Sequence, residues 1–371
     1  MKKHLLFLFA ALLPMLASAQ TKVEIDGIWY NLISKAKQAE VTFKGDYYYS
    51  YDDEYSGSIT LPATVTYEGV SYSVTSIGDY AFSDCSSLTA ITIPEDVASI
   101  GDVAFSGCSS LTSITIPEGV TSIGDGAFFA CSSLTAIAIP EGVTSIGSST
   151  FSNCISLTAI TIPESVTSIG DCAFGGCSSL TTITLPEGVT SIGDWAFINC
   201  SKLTAINIPK GVTSIGNRAF RGCISLTAIT IPEGVMSIEW TTFEACTSLT
   251  AIVLPKNLKY IYSEAFANCS ELLDVYCHAE KVPSTETDAF EGSYIEYATL
   301  HVPASALETY KTTAPWKSFG TIVSLTDEEM GIKNSELNIQ NPELIYDLRA
   351  RRVEKAEKGI YIVNGKKTVI K

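Results

Sequence analysis

From Leu88 to Cys269 the chain repeats a 23-residue unit, and a period of that length restricts it to a solenoid in which each copy packs only on its neighbours. One copy runs Leu134-Thr-Ala-Ile-Ala-Ile-Pro-Glu-Gly-Val-Thr-Ser-Ile-Gly-Ser-Ser-Thr-Phe-Ser-Asn-Cys-Ile-Ser156, and Leu157 opens the next. It offers an interior seven apolar side chains: Leu134, Ile137, Ile139, Val143, Ile146, Phe151 and Cys154. Each stabilises by about 1.5–3 kcal/mol when buried, whereas ordering the backbone costs about 1–2 kcal/mol per residue. A single copy therefore cannot fold, and an array needs closing modules at both ends.

The columns give the local structure. Leu-x-x-Ile-x-Ile reads as a short strand, halted by the proline column Pro94, Pro117, Pro140, Pro163, Pro186, Pro209, Pro232 and Pro255, because proline has no N–H for a ladder. Val-Thr-Ser-Ile reads as a second extended segment. The Phe105, Phe128, Phe151, Phe174, Phe197 and Phe220 column then follows an Asp, Ser or Asn three residues earlier in most copies, for example Asp102, Asp125, Ser148, Asp171, Asp194 and Asn217. These types accept hydrogen bonds at helix starts, so the pattern predicts a short helical or 3₁₀ turn with phenylalanine pointing inward. The aspartates are then structural rather than catalytic.

The motif Leu-x-x-Ile-x-Ile-Pro-x-x-Val-x-x-Ile-x-x-x-Ala-Phe-x-x-Cys, recurring from Ser58 to Phe290, resembles the BspA-like leucine-rich repeats of bacterial surface proteins. That resemblance implies an α/β solenoid: a leucine-rich repeat array with a parallel β-sheet on one side and short helical or 3₁₀ turns. It also implies a secreted or cell-surface protein of adhesion and interaction. The expected division is 1–19 leader, 20–74 β-rich N-terminal cap, 75–276 repeat solenoid, 277–325 capping repeat, 326–341 linker and 342–371 small β tail.

The leader reading rests on Met1-Lys2-Lys3-His4, the apolar run Leu5–Leu16 and Ala17-Ser-Ala19, the pattern of a secretory signal peptide. No later apolar run approaches the roughly 20 residues of a membrane span. Asp26-Gly27 and Glu68-Gly69 predict hairpin turns in and after the cap, and Asn364-Gly365 predicts another in the tail. The tail, Leu344 to Lys371, resembles the end of a type IX secretion sorting domain. In the closing segment, Tyr310, Trp316 and Phe319 are expected to seal the last repeat. Glu239, Trp240 and Tyr262 replace small residues of the consensus and predict a bend or loosening of the last copies.

The net charge of −16 is uneven: no Lys or Arg occurs between Lys44 and Lys202. Nothing there can neutralise phosphates, so nucleic acid is excluded as a partner of the array. The acidic column Glu95, Glu118, Glu141, Glu164 and Glu187 reads as solvated surface. Nine of the eleven cysteines follow the repeat, including Cys108, Cys131, Cys154, Cys177, Cys200 and Cys223. Parallel Cβ vectors are badly aimed for disulfides, so this column is expected to be buried thiol. Cys172 and Cys277 lie off it.

Catalysis needs a positioned constellation, and none is legible. The three histidines form no ligand spacing, and no nucleophile elbow or phosphate loop occurs. Neither an enzyme, a cofactor nor a metal site is expected. The outward sheet positions, such as Ala90, Thr92, Ser113, Thr115, Ala136, Ala138, Thr182, Thr184 and Asn207, are small and uncharged. They suit a broad protein partner, host matrix or bacterial, better than a small molecule. A glycan is the alternative partner, on the tyrosine-rich stretch Tyr47, Tyr48, Tyr49, Tyr51, Asp52, Asp53 and Tyr55 or on Trp29, Trp195 and Trp240, since aromatic faces beside carboxylates hold sugars or cations. A structural surface spacer is the third reading.

Overall fold

The computed structural model describes residues 20–45, 47, 55–326 and 329, and the strand backbones at 345–346, 359–363 and 366–370. The leader at 1–19 and residues 330–344 lie outside these. Each 23-residue unit is one coil of a parallel β-solenoid. Leu-x-x-Ile segments pair in register from coil to coil, as in Ala136–Ala138 with Ala159–Thr161 and Thr182–Thr184 with Ala205–Asn207. The Ser-Ile segments pair likewise, Ser145–Ile146 through Ser168–Ile169 and Ser191–Ile192 to Ser214–Ile215.

The third side of each coil differs from the expected helical turn. It keeps i→i−3 bonds, such as Ser152 N to Ser149 O at 3.1 Å and Cys154 N to Phe151 O at 3.1 Å. Two of its residues nevertheless sit in the left-handed region, Ser149 (φ 55) and Asn153 (φ 60) in this coil, so no continuous helix forms. The remaining N–H groups turn to the next coil instead. Ser149, Phe151 and Asn153 N–H donate to the carbonyls of Asp171, Ala173 and Gly175 at 2.7, 2.9 and 2.7 Å. The backbone is thereby paired between coils on all three sides.

The aspartate column is corrected in the same way. Its Oδ1 does not cap its own turn; it accepts the N–H of the equivalent residue one coil on. Asp79 serves Asp102 at 2.8 Å, Asp102 serves Asp125 at 2.8 Å, Asp125 serves Ser148 at 2.7 Å, Asp171 serves Asp194 at 2.8 Å and Asp194 serves Asn217 at 2.7 Å. The glycine preceding these residues follows from the close approach of the coils: a Cβ at Gly193 would stand 2.5 Å from Asp171 Oδ1, and one at Gly170, which faces Ser148, 2.8 Å from the backbone of Gly147 and Ser148. Where the column gives way to Asn217 and Trp240, Glu239 and Tyr262 enter the glycine position. The array does not loosen there: Arg218 N still reaches Trp240 O at 3.0 Å and Phe243 N reaches Ala265 O at 2.8 Å.

Inside, the phenylalanines form one stack from Phe82 to Phe290, with neighbouring rings 5.1–5.6 Å apart and within 12° of parallel. The cysteines complete each layer. From Cys108 to Cys269 each thiol of the column donates to the carbonyl of the phenylalanine in the coil before, as Cys154 Sγ does to Phe128 O at 3.1 Å and Cys177 Sγ to Phe151 O at 3.1 Å. In the last coil Ser293 takes this place and its hydroxyl donates to Phe266 O. The position therefore selects a small buried donor.

The ends are closed. At the N-terminus β1 (Gln20–Ile25) and β2 (Ile28–Ile33) form a hairpin around Asp26-Gly27, both at positive φ, and β3 (Gln38–Thr42) joins the solenoid by parallel pairing with residues 70–77. Glu68-Gly69 turns a second hairpin between Thr64–Tyr67 and Val70–Ile77. At the C-terminus α1 (Leu307–Thr312) carries buried Tyr310, whose hydroxyl donates to Ala279 O at 2.9 Å. Trp316 and Phe319 meet Phe290 edge-on at 5.6 and 5.4 Å. In the tail, Gly359–Val363 and Lys366–Ile370 pair antiparallel around residues 364–365, with Ile345–Tyr346 as third strand.

Three substitutions in neighbouring coils rank these forces. Asp171→Ala removes one inter-coil bond and should cost about 1–2 kcal/mol. Gly193→Ala, which forces Asp171 and its backbone apart, should cost more than Asp171→Ala, and Phe174→Ala about 3–5 kcal/mol. Urea midpoints at constant slope check the order; a neutral Gly193→Ala would refute the close approach.

Candidate interaction surfaces

The inner sheet face is built from the residues between the buried leucine and isoleucine positions. Ala136, Ala138, Ala159, Thr161, Thr182, Thr184 and Asn207 are exposed along it. The threonine opening each strand donates to its counterpart one coil earlier, Thr158 Oγ1 to Thr135 O at 3.1 Å and Thr250 Oγ1 to Thr227 O at 3.0 Å. The hydroxyls lie within a ladder, so the face is pre-ordered, shallow and without charge over these coils.

That character changes at the C-terminal end. Val253, Tyr276, His301 and Val323 are lateral neighbours in the sheet. The Tyr276 and His301 rings stack at 4.3 Å. His301 Nε2 lies 3.1 Å from Asp274 Oδ1 and Nδ1 3.6 Å from Glu329 Oε1. His278 nearby has its pKa lowered by burial, with Glu233 and Glu329 opposing. Sequence reasoning passed over Tyr276 and His301; the signal was present, since 253 to 276 keeps the period, but 276 to 301 stretches to 25 residues.

The tyrosine-rich stretch divides. Tyr47 is 59 % exposed, whereas Tyr55 is only 6 % exposed. Tyr55 packs on Phe82 at 5.1 Å and its hydroxyl accepts the Trp29 N–H at 3.1 Å. Its ring begins the phenylalanine stack rather than facing a ligand. Tyr48, Tyr49, Tyr51, Asp52 and Asp53 lie outside the described residues. Trp29 is half-buried in the cap. Trp195 lies far from it along the array, with the Arg218 guanidinium 5.9 Å from its ring centroid. Trp240 belongs to a different group, packed on Tyr262 at 5.2 Å, with Tyr260 6.2 Å beyond.

All eleven cysteines are thiols, and among the described residues no group of three His, Cys, Asp or Glu is disposed to hold a metal ion. Burial pushes the Cys154, Cys200 and Cys269 thiols up to about 12. Cys172 is half-buried, and its thiol is raised by burial and by Asp171 and Asp194, the reverse of what a nucleophile requires. No described helix is long and apolar enough to cross a membrane.

A family model described as BspA type Leucine rich repeat region matches in six copies, over residues 57–180, 144–213 and 196–311. Among solved structures, a leucine-rich repeat protein from Bacteroides ovatus is similar at 24 % identity, covering 82 % of this chain and 100 % of that one, with a TM-score of 0.45. A leucine rich cell surface protein from Faecalibacterium prausnitzii is similar at 25 % identity over 84 % of this chain and 96 % of that one, TM-score 0.42. The pneumococcal vaccine antigen PcpA is similar at 18 % identity over 83 % and 99 %, TM-score 0.46. No curated protein matches the chain.

The thiol column sets an alkaline limit. A thiol whose pKa is raised on folding leaves stability unaffected below its unfolded value of about 8.5, and stability falls as pH climbs from there toward about 12. The melting temperature should thus drop between pH 8 and pH 11, and Cys154→Ser with Cys200→Ser should flatten that slope. In native protein a disulfide reagent should label Cys172 first, with the repeat thiols reacting only after unfolding.

Proposed function

Since the chain belongs to the BspA-type leucine-rich repeat family, we propose that it is a secreted or cell-surface interaction protein that binds another protein, of host matrix or bacterial surface, without catalysis. The observation that carries this reading is the inner sheet face. It is broad, uncharged and rigidly held by inter-coil bonds, and it offers no deep pocket of the kind small ligands occupy. A surface already ordered before binding loses little entropy on association, which suits a large partner. The leader pattern at 1–19 supports export, and the tail's resemblance to a sorting domain supports delivery to the outer surface.

The test is saturable binding of the protein to immobilised extracellular-matrix and bacterial surface proteins. Thr115→Glu, Thr161→Glu and Thr184→Glu together should weaken binding at least tenfold while circular dichroism and the melting temperature stay near wild type. Equal changes on the turn side, at Ser109, Ser132 and Ser178, should leave it unaltered. Binding insensitive to both sets, or none at all, would overturn the reading.

A further inference from the structure

On the Ser-Ile side of the last coils the small-residue consensus is replaced by rings. Trp240 is 52 % exposed and Tyr260 49 % exposed, with Tyr262 between them. Trp240 stands where earlier coils have Asp or Asn, Tyr260 where they have Ser, and Tyr262 where they have Gly. None is needed by the core: Ile238 and Ile261 fill it beneath them. The exposed rings of Trp240 and Tyr260, with the half-buried ring of Tyr262 between them, form a continuous platform at positions that earlier coils fill mostly with small residues.

The platform runs into a groove. Tyr260 lines it together with Lys259, Lys281, Pro283, Ser284 and Thr313. Two ammonium groups line this groove and no carboxylate does, in a chain of net charge −16. Lys259 and Lys281 are exposed, and neither lies within ion-pair distance of a carboxylate among the described residues. Ser284 brings a hydroxyl to the lining, whereas the Thr285 hydroxyl is held between Pro283 O and Trp316 Nε1 and the Thr313 hydroxyl donates to Thr309 O. The Tyr260–Ile261 strand is paired on both sides, with Ser237–Ile238 and Ser284–Thr285, so it has no free edge for a peptide to extend.

We infer that the Trp240–Tyr262–Tyr260 row and the adjoining Lys259/Lys281 groove form a binding site for a carboxylated polysaccharide. Sugar rings present flat C–H faces that stack on aromatic faces, their hydroxyls meet Ser284 on the groove lining, and their carboxylates meet the two lysines. The site is separate from the inner sheet face and does not depend on it.

Affinity electrophoresis and calorimetry with polygalacturonate, neutral dextran and poly-glutamate test the assignment on the whole protein. Polygalacturonate should bind and dextran should bind at least tenfold more weakly. Trp240→Ala and Tyr260→Ala should each reduce polygalacturonate binding at least fivefold, and Lys259→Gln with Lys281→Gln should reduce it and flatten its salt dependence. Trp240 and Tyr260 are about half exposed and both lysines are exposed, so the variants should melt like the wild type. Tyr47→Ala should change nothing. Dextran binding as tightly as polygalacturonate, poly-glutamate matching it with no loss in the ring variants, loss on Tyr47→Ala, or no polygalacturonate binding would each overturn the site.

Discussion

The register between coils governs everything else in this molecule. A ladder bond on each of three sides, a thiol donating to the previous coil's phenylalanine carbonyl and an aspartate carboxylate accepting the next coil's N–H all require the same 23-residue translation. A slip of one residue would break all of them together and turn every inward side chain out. The repetition of sequence is the chemical record of that requirement. It also explains why a coil has no stable existence alone: half of its polar partners belong to the neighbours.

The close approach that makes the aspartate bond also demands glycine in the following coil, and backbone alone sustains the demand at Gly170, where Ser148 stands in the aspartate's place. Asp171 with Gly193 and Asp194 with Gly216 show the pairing. Asn217 ends it: its amide donates back to both Asp194 oxygens, while its own Oδ1 is buried without a partner. Beyond that residue Glu239, Trp240 and Tyr262 appear, and the backbone ladder carries the coils onward.

The period made the solenoid, the inward columns and both capping hairpins legible from residues alone. What it could not convey was the direction of a bond. An aspartate three residues before a phenylalanine is equally placed to cap its own turn or to serve the residue 23 further on, and only the backbone geometry decides. Tyr55 misled in another way: read as part of an aromatic run, it belongs to the stack that begins at Phe82. Tyr276 and His301 were hidden by a 25-residue step, and Ser293 by a 24-residue one, because a column is visible only while its spacing holds.

The residue after each aspartate position shows how far surface and fold are separated. Tyr80, Val103, Ser149, Cys172, Trp195, Arg218, Thr241 and Glu264 all occupy it with φ between 52 and 59. A left-handed conformation costs an ordinary residue about 1–2 kcal/mol, and Val103 and Thr241 are β-branched, the least suited to it. The inter-coil bond made by the N–H of each of these residues except Glu264, such as Trp195 N to Asn217 O at 2.8 Å, overrules that preference whatever side chain is present. Identity at such positions is therefore free to vary with surface chemistry. Net charge then says little about any one site, since charges screen within about 8 Å, less than two coil spacings of about 4.8 Å each. An acidic array can accordingly carry a lysine-lined groove at one end, and it is the side chains lining that groove, not the sum over the chain, that determine what it attracts.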